Sequence, residues 1–263
     1  MKTSDLITIF DDTLTLFNNN KELVLTTREM VSRTKVFDEN YYTPSKIEKN
    51  KDFNISVVED TTFSCAKKHT QDGVRVAVLN FANPHTPGGG VAHGARAQEE
   101  CLCRCSNLYY ALTDSQIIKD YYEWNKEKTD YMFSDKTVYS PNVCIVKEDE
   151  TYLEMREPFY VDVITCAAPY NVYGNPEDIL KATYLKRIKN ILEVAIEHDV
   201  DVIILGAFGC GAFRNPPKLM AESFKEILID LKYFKYFKKV VFAIKKPNVF
   251  ENNLEVFRQV FFD

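Results

Sequence analysis

Residues 74–90 read Val-Arg-Val-Ala-Val-Leu-Asn-Phe-Ala-Asn-Pro-His-Thr-Pro-Gly-Gly-Gly, and they decide the fold. The first eight residues are mostly apolar and rich in β-branched side chains, which is typical of a strand buried on both faces of a parallel sheet. A loop with three successive glycines follows. The stretch therefore predicts a central strand over residues 74–81 whose carboxyl end opens into a Gly-rich loop.

Strand-like and helix-like segments alternate around this stretch, from about residue 54 to the end. The further predicted strands are 54–58, 143–146, 161–165, 202–205 and 240–244. The predicted helices are 61–70, 95–110, 114–128, 177–198, 217–231 and 249–260. This order predicts an α/β fold with three layers, in which helices cover both faces of a mixed central sheet.

The first fifty residues follow a different pattern. Apolar residues at helical spacing predict a helix over residues 5–17, and Asn18-Asn19-Asn20 predicts its end. A segment of this size with one apolar helix buries too little surface to fold alone. We therefore expect residues 1–50 to be an N-terminal extension that packs on a main domain formed by residues 51–263, and we expect a monomer.

The composition excludes several classes of protein. The 263 residues are 45% hydrophobic and include 18 Phe and 15 Tyr, an aromatic content that disordered chains do not have. A formal net charge of −5 argues against binding to duplex nucleic acid, which needs a basic surface. We find no signal-peptide pattern and no apolar run long enough to cross a membrane, and seven cysteines without a C-x-x-C pair indicate reduced thiols. We therefore expect a cytoplasmic protein without membrane contact.

The Gly-rich loop is the first candidate for a ligand site. No Asp, Glu, Lys or Arg occurs between Arg75 and Arg96, and the loop contains Gly88, Gly89 and Gly90 in succession. Such a loop lets a ligand approach the backbone closely. A tight turn from strand to helix is the alternative, but one or two glycines would suffice for it. We interpret the loop as a ligand cradle.

A second Gly-rich loop, Gly206-Ala207-Phe208-Gly209-Cys210-Gly211-Ala212-Phe213, also follows an apolar strand and leads into a helix. Backbone N–H groups near a helix N-terminus bind phosphate without Lys or Arg. Because both loops leave the carboxyl ends of sheet strands, we expect them to hold a ligand of pyrophosphate size in one crevice. Neither loop has the P-loop or dinucleotide-binding spacing.

Gln98-Glu99-Glu100 lies where the helix after the first loop should begin. Adjacent helical residues point about 100° apart, so the two carboxylates cannot do the same job. The alternative for Glu100 is an ion pair with Arg104 on a solvated helix face. Cys101 and Cys105 would share a helix face and follow two histidines, His85 and His93, which permits zinc, but the usual zinc spacings are absent and we expect buried thiols and no metal.

In residues 74–112, Gly-Gly-Gly is separated by seven residues from Gln-Glu-Glu, and this stretch resembles the signature of the microbial-type poly(ADP-ribose) glycohydrolases. The resemblance extends to Val163-Ile164-Thr165-Cys166-Ala167-Ala168-Pro169, to residues 206–215 and to strand 241–244, so that it covers about residues 54–250. It implies a macrodomain-like fold for residues 51–263 and a glycosidase activity.

The resemblance also implies a role for each candidate residue. Glu100 occupies the family's catalytic position and Glu99 that of a residue holding ribose hydroxyls, and we group Gln98 with them as catalytic candidates. The substrate-binding candidates are Asn83 beside the distal ribose, Gly88, Gly89 and Gly90 of the catalytic loop, Gly206, Ala207, Phe208, Gly209, Cys210, Gly211 and Ala212 of the diphosphate loop, and Phe213 near the distal ribose. One departure is visible: the family usually has Asn after Cys-Ala-Ala-Pro, where this chain has Tyr170 followed by Asn171.

The implied reaction is hydrolysis of the O-glycosidic bond between ribose units of poly(ADP-ribose), which releases ADP-ribose. Such bonds break through an oxocarbenium-like transition state that needs a proton on the leaving oxygen and negative charge near the anomeric carbon. Glu100 would supply the proton and then accept one from water, and the substrate's diphosphate would stabilise the cation. The scheme needs no metal or other cofactor.

Two alternatives use the same pocket. Many macrodomains only bind ADP-ribose, so the chain could be a reader of modified proteins without hydrolytic activity. It could also hydrolyse mono-ADP-ribosyl adducts. In each case the expected partner is ADP-ribose or its polymer on modified proteins.

Overall fold

The computed structural model describes residues 1–43, 46–52, 54–245 and 252–263. The strands of the described residues are β1 Lys35–Phe37, β2 Ile55–Val58, β3 Val76–Phe81, β4 Thr137–Lys147, β5 Glu154–Cys166, β6 Val202–Leu205 and β7 Lys239–Ala243. They form one sheet in the order β1-β4-β5-β3-β6-β7-β2. The sheet is mixed, because β4 runs antiparallel to both β1 and β5 while the remaining pairs are parallel.

The α-helices of the described residues are α1 Thr3–Asn19, α2 Lys21–Arg33, α3 Thr62–Lys67, α4 Gln98–Cys105, α5 Leu108–Leu112, α6 Ser115–Ile117, α7 Trp124–Lys126, α8 Glu177–Glu197, α9 Pro217–Lys225 and α10 Asn253–Phe262. Residues 118–123 and 226–230 continue α6 and α9 with wider, π-helical turns. None of these described helices combines the length and the apolar character that a membrane span requires.

Strand β3 is central, and its side chains separate two apolar cores. Ala77 and Leu79 point to one face of the sheet, where α8, α9 and α10 pack, whereas Val76 and Val78 point to the face covered by α1, α3 and α4. Side chains of successive strand residues alternate between faces, so this strand is apolar on both faces except at Asn80 near its carboxyl end. The predicted three-layer α/β fold with a mixed sheet is confirmed.

One predicted helix is wrong in extent, because tertiary hydrogen bonds interrupt it. The helix predicted over residues 95–110 is two helices, α4 and α5. Between them the Asn107 N–H donates to the Cys144 carbonyl at 3.2 Å, and the Asn107 side-chain oxygen accepts the Cys144 N–H at 2.9 Å. These bonds to β4 replace the helical pattern. The first three residues of the helix predicted over 249–260, 249–251, lie outside the described residues, and α10 begins at Asn253.

The N-terminal segment contains more structure than the sequence pattern predicted. Helix α1 is present, but α2 and β1 were not predicted, and β1 pairs with β4 at one edge of the sheet. The Asn run that ends α1 also starts α2, since the Asn20 side chain accepts N–H bonds from Glu22 and Leu23. The division into an extension of residues 1–50 and a domain of residues 51–263 stays a prediction.

Lys46 ties this segment to the main body through a buried carboxylate. Its Nζ lies 2.5 Å from Oε1 of Glu193, whose side chain is fully buried in α8. Burial opposes ionisation of Glu193, but donors from Lys46, Tyr233 and the Thr43 backbone outweigh it and lower the pKa of Glu193 below its ordinary value of 4.5.

Lys46→Met is therefore expected to lower the free energy of unfolding by roughly 3 kcal/mol, because it leaves a buried carboxylate without its cation. Urea denaturation at pH 7 measures the loss. Lys189→Met, on an exposed position of the same helix as Glu193, is the matched control and should change stability by about 0.5 kcal/mol or less. Equal losses in both variants would show that the ion pair contributes nothing.

Candidate functional site

Gln98 fastens the first turn of α4 to the end of β3. Its side-chain oxygen accepts the Phe81 N–H at 2.8 Å, and its side-chain nitrogen donates to the Leu79 carbonyl at 2.7 Å. The side-chain amide of Gln98 thus satisfies backbone groups of β3 beyond Val78, where β3 no longer pairs with β6. This contact sets the position of the two carboxylates that follow Gln98.

The Glu99 carboxyl turns inward and meets the end of β3 and the loop after it. It accepts the Asn83 N–H at 2.8 Å and the Asn80 side-chain N–H at 3.3 Å, and only 2% of the residue is exposed. Burial raises the pKa of Glu99 to about 8, although the Asn83, Asn80 and Gly88 donors lower it, and the charge of Glu100 adds to the rise. Near neutral pH the Glu99 carboxyl therefore holds a proton in most molecules.

Glu99→Gln is expected to remove the loss of folding stability that the Glu99 carboxyl causes as pH rises from about 4.5 to about 8. The unfolded chain releases the Glu99 proton near pH 4.5 and the folded chain only near pH 8, so folding becomes less favourable as pH rises through this window. Gln mimics the protonated form, so the variant should gain stability relative to the wild type, by up to a few kcal/mol at pH 8. Urea denaturation between pH 5 and pH 8 measures the difference. If the difference in the free energy of unfolding between variant and wild type does not change with pH, Glu99 is not protonated in the folded protein.

The Glu100 carboxyl lies against the Gly-rich loop. Its Oε1 accepts the Gly90 N–H at 2.9 Å, and its Oε2 is buried with no hydrogen-bond partner among the described residues. Gly89 has a φ of +58°, and a Cβ there would overlap Oε1 of Glu100. Only glycine combines this backbone conformation with so close an approach. The solvated ion pair between Glu100 and Arg104 that we considered is wrong, since both residues are buried.

Arg104 instead joins α4 to its surroundings. Its Nε donates to the Leu6 carbonyl of α1 at 3.2 Å, and its Nη2 donates to the Ala95 carbonyl. The Thr13 hydroxyl of α1 donates to the Arg104 carbonyl at 2.6 Å. Helix α1 therefore supports the helix that carries both carboxylates.

The second Gly-rich loop lies beside the first, because β3 and β6 are neighbours and both loops leave their carboxyl ends. The Phe208 ring centroid lies 5.7 Å from that of Phe81. Phe208 and Cys210 are buried, so within this loop they offer only their backbone to a ligand. Among the described residues, the N–H groups of Gly209, Gly211, Ala212 and Phe213 donate to no protein acceptor.

A cavity of about 440 Å³ joins the second loop to the start of α4, within the size range of small-molecule sites. Its lining includes Gln98, Phe213 and Phe81, the last residue of β3. Glu99 and Glu100 lie beside the cavity rather than in its wall. Asn83 contributes a turn at the same edge, because its side-chain oxygen accepts the N–H groups of His85 and Thr86 at 2.9 Å. The structure thus brings the candidate residues of both loops and of α4 to one edge of the sheet.

Cysteines and histidines do not converge in the described residues. No group of three or more His, Cys, Asp or Glu side chains there could hold a metal ion. Cys65, Cys101, Cys103, Cys105, Cys144 and Cys166 are free thiols. Burial raises the pKa of Cys101 and raises that of Cys105 well above its ordinary value.

The comparisons with known proteins agree with this geometry. The family model for the catalytic domain of microbial-type PARG, poly(ADP-ribose) glycohydrolase, matches residues 5–148, which is more than half of the chain. The chain belongs to the microbial-type PARG family. The family and the enzyme class expected from the sequence, a glycosidase, are therefore confirmed. A search of curated protein sequences gives no match.

Solved PARG structures extend the likeness to the whole chain. Poly(ADP-ribose) glycohydrolase from Thermomonospora curvata, known from its crystal structure, is 26% identical in sequence to this chain. The match covers 98% of this chain and 100% of that chain, with a TM-score of 0.86. The enzyme from Deinococcus radiodurans, in complex with ADP-ribose, is 30% identical over 89% of this chain and 96% of its own, with a TM-score of 0.77.

Sequence reasoning missed part of the cavity wall. Asp60 and Thr61 line it and follow β2, so the rule that ligands bind beyond the carboxyl ends of parallel strands could have found them. Asp149 also lines it and accepts the Thr61 hydroxyl and the Phe63 N–H, both at 2.8 Å. Asp149 comes from the turn between β4 and β5, and no local sequence signal marks it.

Proposed function

We propose that this chain hydrolyses the O-glycosidic bond between ribose units of poly(ADP-ribose) and releases ADP-ribose, with Glu100 as general acid and base. The observation that carries the proposal is the Glu100 carboxyl. One oxygen is held by the Gly90 N–H at 2.9 Å, and the other is buried without a partner among the described residues. A buried polar atom that the protein leaves unsatisfied is suited to exchange a proton with a bound substrate.

The surroundings suit a substrate that carries a diphosphate. The amides of Gly209, Gly211, Ala212 and Phe213 supply donors to an anion without a cationic side chain. Phe213 lines the same cavity and offers an apolar surface to a ribose ring. ADP-ribose in the complex of the Deinococcus radiodurans enzyme supports this choice of ligand.

In the proposed reaction, protonated Glu100 gives its proton to the leaving ribose oxygen as the bond to the anomeric carbon breaks. The substrate's diphosphate, held on the second loop, stabilises the positive charge that develops on the sugar. Ionised Glu100 then takes a proton from the attacking water. Glu99 and Asn83 hold the hydroxyls of the distal ribose, and Gln98 keeps α4 in place.

Poly(ADP-ribose) on an automodified protein is the test substrate. We expect the wild-type chain to release free ADP-ribose in the presence of EDTA, because the scheme uses no metal. Binding of ADP-ribose without release of product would favour the reader function instead. Release only from a mono-ADP-ribosylated protein would favour a hydrolase of mono-ADP-ribosyl adducts.

We also propose that the protein acts as a monomer in the cytoplasm on ADP-ribose attached to modified proteins, without contact to duplex nucleic acid or membranes. The free thiols of Cys65, Cys101, Cys103, Cys105, Cys144 and Cys166 support a reducing compartment. Size-exclusion chromatography with light scattering tests the monomer, and cell fractionation tests the location.

A further inference from the structure

Three tyrosines form an exposed aromatic cluster beside the cavity, and we name Tyr131, Tyr170 and Tyr173 the tyrosine platform. Their ring centroids lie 5.2 Å apart for Tyr131 and Tyr173, 6.1 Å for Tyr131 and Tyr170, and 6.3 Å for Tyr170 and Tyr173. Tyr131 is 45% exposed and Tyr173 is 71% exposed. Three aromatic rings in contact at the surface are a patch that folding alone does not explain.

The platform is held in place by backbone hydrogen bonds. The Tyr170 N–H donates to the Tyr131 carbonyl at 2.8 Å. The Met132 carbonyl accepts a bond from the buried Arg187 side chain at 2.8 Å. Tyr131 has a φ of +57°, a conformation that costs a non-glycine residue energy and persists only where its surroundings fix it. The rings are thus presented on a preorganised surface.

The platform contacts the second loop of the candidate site, and the segment that carries Tyr131 also reaches the first loop through Phe133. The Tyr170 ring centroid is 5.4 Å from that of Phe213, which lines the cavity, and the Asn171 N–H donates to the Phe213 carbonyl at 2.9 Å. On the other side, the Phe133 ring centroid is 5.2 Å from the ring of His85 in the first loop. The platform therefore borders the cavity where Phe213 forms its wall.

We propose that the tyrosine platform stacks against the adenine base of the polymer unit that leaves when the bond is cleaved. This inference rests on the proposed function. In poly(ADP-ribose) the leaving oxygen belongs to the ribose of an adenosine, so an adenine lies one sugar beyond the scissile bond. Aromatic side chains bind bases by stacking, and loss of one such contact weakens binding by about tenfold or more.

Binding to a catalytically silent protein tests the platform directly. In the Glu100→Gln background, we expect a dimer of two ADP-ribose units to bind about tenfold more tightly than ADP-ribose itself by calorimetry. Adding Tyr131→Ala and Tyr173→Ala should abolish this difference and leave the affinity for ADP-ribose unchanged. Tyr131→Phe with Tyr173→Phe should preserve it, because the rings remain. Tyr42→Ala is the matched control, since Tyr42 is 60% exposed and lies in the N-terminal segment.

Kinetics separate a failure of the platform from a failure of the proposed function. With the wild-type Glu100, the double alanine variant should raise KM for the dimer about tenfold, while kcat/KM for a methyl glycoside of ADP-ribose, whose leaving group has no aromatic ring, stays unchanged. A wild type that cleaves neither substrate contradicts the proposed function, and the binding data then still decide on the platform. Equal affinity for dimer and monomer, or equal loss on both substrates, overturns the platform.

Discussion

Glu100→Gln is expected to lower the turnover of poly(ADP-ribose) by about a thousandfold and to leave the affinity for ADP-ribose within about twofold of the wild type. Gln has the shape of Glu and retains an oxygen that can accept the Gly90 N–H, a bond of 2.9 Å in the wild type. It has no proton to give to a leaving oxygen and cannot activate water. Release of ADP-ribose from the polymer gives the turnover, and calorimetry gives the affinity.

The matched control for this variant is Glu29→Gln. Glu29 lies on α2 with a side chain that is 69% exposed, so the same change of charge should leave turnover unchanged. Thermal unfolding of both variants shows that each is folded. Full activity of Glu100→Gln would remove Glu100 from the mechanism, whereas loss of ADP-ribose binding together with turnover would assign it to binding.

The outline of the fold was predictable because the central strands are buried on both faces. A strand such as β3 carries apolar residues at every position but Asn80, and a short apolar run between helical segments marks it. The break between α4 and α5 was not predictable, since it depends on bonds from Asn107 to Cys144, which is 37 residues away in sequence. The edge strand β1 is only three residues long and carries no periodic signal.

The candidate site could be predicted in its composition but not in its contacts. The Gly-Gly-Gly and Gln-Glu-Glu motifs indicated which residues to consider. The two carboxyls differ in their environment, because Glu99 accepts a hydrogen bond from Asn83 just after β3 and Glu100 accepts one from Gly90 in the glycine loop. Only the folded chain brings these groups together. The tyrosine platform combines residues 131, 170 and 173, which have no common motif.

Gly89→Ala is expected to lower turnover by about a hundredfold, because the added methyl group would occupy the space of the Glu100 carboxyl. The Cβ would overlap Oε1 of Glu100 and lie 3.1 Å from Oε2 of Glu99, so either the loop or the carboxyl must move. A displacement of about 1 Å at a catalytic group is enough for a loss of this size. Turnover of the polymer and thermal unfolding are measured together.

Gly73→Ala separates this contact from the strain of the backbone. Gly73 has a φ of +75°, close to the +58° of Gly89, but a Cβ at Gly73 meets nothing within 4 Å. Both variants should therefore lose roughly 1 kcal/mol of stability from the left-handed conformation. Only Gly89→Ala should also lose turnover, since only its methyl group reaches a carboxylate. If both variants keep the wild-type rate, the glycine loop does not determine where the Glu100 carboxyl lies, and the positioning of the acid must come from α4 alone.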